Sequence, residues 1–71
     1  MRIKFIKRIS GCDQIAYKTV EKEVESYQVL HSGDEYTSPV DNEIHTCYGI
    51  ALLVNGNSVY VLKPGSSVTR I

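Results

Sequence analysis

Residues 48–62 read YGIALLVNGNSVYVL, and the fold turns on how this stretch is understood. Two apolar runs flank Asn55-Gly56-Asn57. Asn and Gly tolerate the positive φ of tight hairpin turns, so the pattern predicts a β-hairpin with arms at 45–54 and 58–63. If Asn55-Gly56 is a two-residue turn, Leu52 faces Val59 and Ile50 faces Val61 on one side. On the other side Ala51 faces Tyr60 and Gly49 faces Leu62. A three-residue loop shifts every partner by one. In either register both faces are apolar, whereas an antiparallel sheet with one wet face alternates apolar and polar residues. The ribbon therefore calls for cover on both sides. The rest of the chain is expected to supply one layer, and a second copy or a partner the other.

The surrounding chain is short. Its 71 residues make one domain, 1–71, with 42% hydrophobic and 23% charged residues, the balance of an ordinary globular protein. A domain of this size removes only about 60% of its unfolded surface from water, so any extra burial in an oligomer matters. Towards the C-terminus, Lys63-Pro64-Gly65-Ser66 predicts a reverse turn and Val68–Ile71 a short last strand. At the N-terminus, Arg2–Ile9 alternates as a strand with Ile3, Phe5 and Ile9 on one face, and Ser10–Asp13 forms a turn. Residues 15–20 form a second strand.

Residues 20–31 admit two readings. No Gly, Pro, Asn or Asp lies between Gln14 and Gly33, and one strand of that length is unusual. Val20, Val24, Tyr27 and His31 fall at helical spacing, with Gly33 placed as a cap. The β-branched residues and Val29 favour strand instead. Residues 33–42 are polar and turn-forming, which predicts a loop. The expected fold is mainly β: a small antiparallel sheet or barrel of about five strands, or α+β if residues 20–31 are helical.

The formal net charge is zero, which excludes a polyanion binder acting by bulk positive charge. The charges are nonetheless segregated. Residues 1–10 carry Arg2, Lys4, Lys7 and Arg8 and no acid; residues 11–47 carry all eight acids and only Lys18 and Lys22 as bases. Cross-strand pairing within one domain is the simplest account. A second account makes Glu21, Glu23, Glu25, Asp34, Glu35, Asp41 and Glu43, with Tyr36 in the polar loop, a surface for a partner protein with a basic face. A third has Arg2, Lys4, Lys7, Arg8 and Phe5, with a tyrosine, binding single-stranded nucleic acid as small barrels do. Of the five tyrosines, Tyr17 and Tyr60 sit mid-strand, where structural use is expected.

Chemistry has little to work with. Cys12, His31, His45 and Cys47 are the residues a zinc site would draw on, but no close C-x2-C pair announces one, so neither metal nor cofactor is expected. A Cys–His nucleophile needs a pocket that so short a chain rarely encloses, and no phosphate-cradling Gly motif occurs. No secretory leader pattern or 20-residue apolar run is present, and the two cysteines are expected to be free thiols in a cytoplasmic protein. The functional expectation is a non-enzymatic protein-binding module, probing a partner by occlusion in the manner of inhibitors made by phages and mobile elements. It is expected to associate with itself, a dimer being favoured. The rival is the small barrel that binds single-stranded nucleic acid.

Overall fold

The structure is a computed structural model that describes residues 1–11 and 14–71. The turn expected at Ser10–Asp13 and any role of Cys12 therefore lie at least partly outside the described residues. Eight strands follow one another: β1 (Arg2–Ser10), β2 (Ile15–Glu23), β3 (Tyr27–Leu30), β4 (Glu35–Thr37), β5 (Ile44–Thr46), β6 (Ala51–Val54), β7 (Ser58–Val61) and β8 (Thr69–Arg70). They form three antiparallel sheets, β2-β1-β8, β3-β6-β7 and β4-β5, with no helix among the described residues. The chain is thus mainly β, and its sheets do not close into a barrel.

The count exceeds five for two reasons. The expected loop at 33–42 contains β4, and the start of the hairpin arm expected at 45–54 belongs instead to β5, so that the arm is strand only from Ala51. In the β4–β5 hairpin, Glu35, Tyr36 and Thr37 pair with Thr46, His45 and Ile44. Its tip is held by Ser38, whose N–H donates to the Glu43 carbonyl at 2.8 Å and whose carbonyl accepts from Asn42. Residues 20–31, left between helix and strand, are strand twice over. β2 runs to Glu23 because it keeps pairing with β1 as far as Arg2, and β3 then pairs with β6.

Between them the chain bends at Glu25 without a local turn former, β2 and β3 keeping the same sense. The missing polar group comes from thirty residues away. The Asn55 side-chain carbonyl accepts the N–H of Glu25 at 2.8 Å and of Ser26 at 3.2 Å, while the Asn55 N–H donates to the Ser26 carbonyl at 2.9 Å. Backbone groups that a turn motif would satisfy locally are satisfied here by tertiary contact.

Asn55 also shapes its own hairpin. Asn55 and Gly56 take φ values of 53° and 68°, and the Asn57 N–H donates to the Val54 carbonyl at 3.0 Å. That is the two-residue turn geometry anticipated. The register beyond it is nonetheless the shifted one: Val54 pairs with Ser58, Leu53 with Val59, Leu52 with Tyr60 and Ala51 with Val61. Asn57 is absorbed as an extra residue at the turn, as in a bulge. The partners expected from a plain two-residue loop are therefore each displaced by one.

The shift decides which side chains share a face. Leu52 and Val54 join Ile3, Phe5, Val24 and Leu62 in the main core, with Val20, Tyr27, Val29 and Tyr60 packed against it. Ala51 and Leu53 point the other way, into a second cluster with Leu30, Cys47, Tyr36 and Val59. β6 is thus covered on both faces by its own chain, by the β1–β2 ribbon on one side and by the β4–β5 lobe on the other. Burial of β6 makes no demand on a second copy.

The two larger sheets share a seam. Lys7 bridges to Leu62, and the Lys63 N–H donates to the Ile6 carbonyl at 3.0 Å. The expected reverse turn follows, with Gly65 at φ 80° and the Ser66 N–H on the Lys63 carbonyl at 3.1 Å. β8 then pairs Arg70 with Ile3 and Thr69 with Lys4. One edge of β1 is lined by β2, the other by the chain leaving β7.

Replacing Asn55 separates its two duties. Asn55→Gly keeps the positive φ and removes the side-chain acceptor, so it is expected to cost about 1–2 kcal/mol in urea unfolding. Asn55→Ala adds the strain of a left-handed residue, about 1 kcal/mol more. Equal stability of the wild type and Asn55→Gly in that measurement would show that the side chain does not hold the Glu25-Ser26 bend.

Candidate functional site

The second cluster does not extend over the whole outer face of the sheet. The β4–β5 lobe covers Ala51, Leu53 and Val59, and there its cover ends. Beyond it Val61 remains 50% exposed. Continuing the Lys7–Leu62 register places Arg8 opposite Val61, and Arg8 pairs with Tyr17 on β2. The outcome is a hollow of about 220 Å³ lined by Arg8, Ile15, Tyr17, Tyr48, Ile50, Val61 and Pro64 among others. Tyr48 is 87% exposed and Ile15 56%. A contiguous apolar concavity of this kind is a candidate contact surface, whereas singly scattered apolar residues are ordinary on a protein surface.

Its electrostatics are one-sided. Among the described residues Arg8 is the one charged residue lining the hollow, and the Lys63 ammonium stands 5.3 Å from the centroid of the Tyr17 ring. The aromatic face attracts that cation and keeps it beside the apolar surface. Among the described residues no carboxylate lines the hollow. A second, more open depression over Ile6, Lys63, Pro64 and Ser66 adjoins it through Pro64.

The residues singled out in the sequence fall elsewhere. On the β1–β2 ladder Glu23 stands opposite Arg2 and Glu21 opposite Lys4, so these charges face each other across strands. The Glu23 carboxylate also lies 3.0 Å from the Met1 amino group. Asp34 accepts the His31 N–H at 2.8 Å and Asp41 the Glu43 N–H at 3.1 Å, so both work as turn-holding acceptors. The bond from Glu43, followed by that from His45 at 2.8 Å, holds the Asp41 carboxyl below the usual range. Glu25, Glu35 and Glu43 are exposed. Tyr36 is half-buried against the second cluster, its ring 6.1 Å from that of His45.

Among the nucleic-acid candidates, Phe5 is a core residue packed 5.4 Å from the Tyr60 ring, and it cannot stack on a base without opening the core. Lys7 is half-buried with its ammonium 5.9 Å from the same ring. Of that set, Arg8 alone reaches the hollow.

Of the residues a zinc site would draw on, Cys12 lies outside the described residues. Cys47 is buried, whereas His45 is exposed and bound to Asp41. Among the described residues, the sole group of three possible ligands within 4.8 Å of one another is Asp41, Glu43 and His45, all exposed. Tyr48, Ile15 and Val61 were not singled out as site residues, and Tyr17 was expected to be structural. What the sequence did carry was a surplus of apolar side chains on both faces of the hairpin.

No known protein family, curated protein or solved structure matches the chain. Among the described residues no helix is long and apolar enough to cross a membrane.

Cys47 gives a check on the lobe's seal. Its thiol lies 3.8 Å from the Leu30 carbonyl, and burial, with the Asp34 charge behind it, pushes its pKa up. A group that holds its proton more tightly when folded adds stability that is full below its unfolded pKa and is lost as pH rises through its raised folded pKa. In a Cys12→Ser background, native Cys47 is expected to react with Ellman's reagent at neutral pH at least about 100-fold more slowly than the denatured chain. Comparable rates would mean that the β4–β5 lobe does not cover it.

Proposed function

We propose that this chain is a non-catalytic protein-binding module that acts by occlusion, covering a segment of another protein with the hollow formed by Ile15, Tyr17, Tyr48 and Val61. The observation that carries the reading is the combination of exposed tyrosine and aliphatic side chains around a concavity with Arg8 and Lys63 beside it. Tyrosine and arginine are the residues that concentrate binding energy at protein contacts, because they offer apolar area together with hydrogen-bonding tips. The segment that fits presents apolar side chains beside a carboxylate. An inhibitor of the phage or mobile-element kind, acting in the cytoplasm, suits these properties: a small chain with one built surface and no assembled catalytic group among its described residues.

The acidic stretch offers less to a basic partner than its composition suggests. Glu21 and Glu23 stand opposite bases of the same sheet, and Asp34 and Asp41 are engaged with backbone N–H groups. Glu25, Glu35 and Glu43 are what such a partner would meet. Nucleic acid is the rival occupant, with Tyr17 and Tyr48 stacking and Arg8 and Lys63 on phosphate.

The test compares wild type with Tyr48→Ser and with Glu35→Gln as a surface control. A protein captured from the source cell's lysate should be purified and titrated with each. The expected result is a saturable complex that Tyr48→Ser weakens at least tenfold and Glu35→Gln leaves within twofold. A complex indifferent to Tyr48→Ser removes the hollow from the function. Salt-sensitive binding of a fluorescent single-stranded oligonucleotide, lost in Tyr48→Ser, would replace the protein reading with the nucleic-acid one.

A further inference from the structure

The chain itself contains a segment of the chemistry that the hollow fits. The tip of the β4–β5 lobe reads Val40-Asp41-Asn42-Glu43-Ile44. Val40 is 91% exposed and Ile44 71%, the largest exposures of aliphatic side chains in the β4–β5 lobe. Carboxylates flank them on both intervening sides, and Glu43 makes no ion pair among the described residues. The tip is also stiff. Ser38, Asp41 and Asn42 hold its backbone through the Ser38–Glu43, Asn42–Ser38 and Glu43–Asp41 bonds, with Asn42 at φ 60°. A preformed loop loses little conformational freedom on docking, which favours it over a flexible one.

Tip and hollow do not meet within one molecule, since both remain open to solvent. Taking the hollow to be a protein-binding surface, as above, we propose that it receives the β4–β5 tip of a second copy of this chain. Val40 and Ile44 enter among Ile15, Tyr48 and Val61, and Glu43 comes to the Arg8–Lys63 rim. The charges match in sign: among the described residues Arg8 lines the hollow, with Lys63 beside its Tyr17, while the tip carries Asp41 and Glu43. A two-fold axis makes the contact twice, tip to hollow and hollow to tip, which closes a dimer rather than starting a filament. The same docking hides the hollow, so an outside partner competes with the second copy.

Sedimentation velocity on the full chain from about 10 μM to about 1 mM covers the range in which so small a contact forms. The expected result is a mass rising from one chain to two. Two variants at exposed positions, and hence with little effect on folding, each weaken it at least tenfold: Ile44→Ser in the tip and Tyr48→Ser in the hollow. Mixing the two variants re-forms one intact tip–hollow contact per pair, so the mixture associates more tightly than either alone. Arg8→Glu weakens the dimer, and adding Glu43→Lys restores it at least in part. A single-chain mass throughout, or association that ignores both variants, or a mixture no tighter than its components, overturns the proposal. These outcomes are separable from failure of the binding reading. A monomer whose partner complex still depends on Tyr48 loses the second copy alone, whereas a complex indifferent to Tyr48 removes the surface itself.

Discussion

β6 is the constraint around which the molecule is arranged. Ala51, Leu52, Leu53 and Val54 are four consecutive apolar residues in an extended strand, and extended backbone sends successive side chains to opposite faces. Neither face can be left wet without exposing at least two of them. The chain meets this with two small layers, the β1–β2 ribbon over Leu52 and Val54 and the β4–β5 lobe over Ala51 and Leu53. Splitting the cover in this way is how 71 residues bury a strand completely without a helix.

The economy has a consequence at the margins. The ribbon strands are nine residues each, longer than the sheet they cover, and the distal half of β2 is exposed along its length. The lobe strands are three residues each, and their cover stops before Val61. The hollow lies where the long element overhangs and the short one falls short. Its apolar lining is the continuation of the outer sheet face rather than a separate feature. Its cationic rim arises because β1 is the strand that carries the N-terminal bases. Arg2 and Lys4 meet the acids of β2, while Arg8 pairs with Tyr17 and is left with none on the ladder. The same strand thus balances its charge at one end and displays it at the other.

Local sequence was a good guide wherever a residue's partners lie close by. The Asn55-Gly56 turn, the Pro64-Gly65 turn and the alternation of Ile3 and Phe5 into the core all follow from backbone preferences and side-chain period, which act over a few residues. The cross-strand balance of Arg2 with Glu23 and Lys4 with Glu21 was also within reach, since it needs only two adjacent strands. The β4–β5 hairpin was missed because strands of three polar or mixed residues leave no periodic signal. The tyrosines were misjudged for a related reason. Tyr36, in a polar segment, packs inward because the segment folds back, and Tyr17, in an alternating strand, stays outside because nothing long enough covers it.

What the sequence by itself determined is the mainly β character, the turns at Asn55-Gly56 and Pro64-Gly65 and the surplus of apolar surface on the central hairpin, all properties of short stretches. Tertiary structure alone decided the state of residues 20–31. It did so through the continued pairing of β2 with β1 and the Asn55 side chain holding the bend at Glu25-Ser26. It also decided that β6 is covered from within the chain and where that cover ends. These depend on the relative lengths of elements far apart in sequence, and no local preference encodes which of two layers will reach a given side chain.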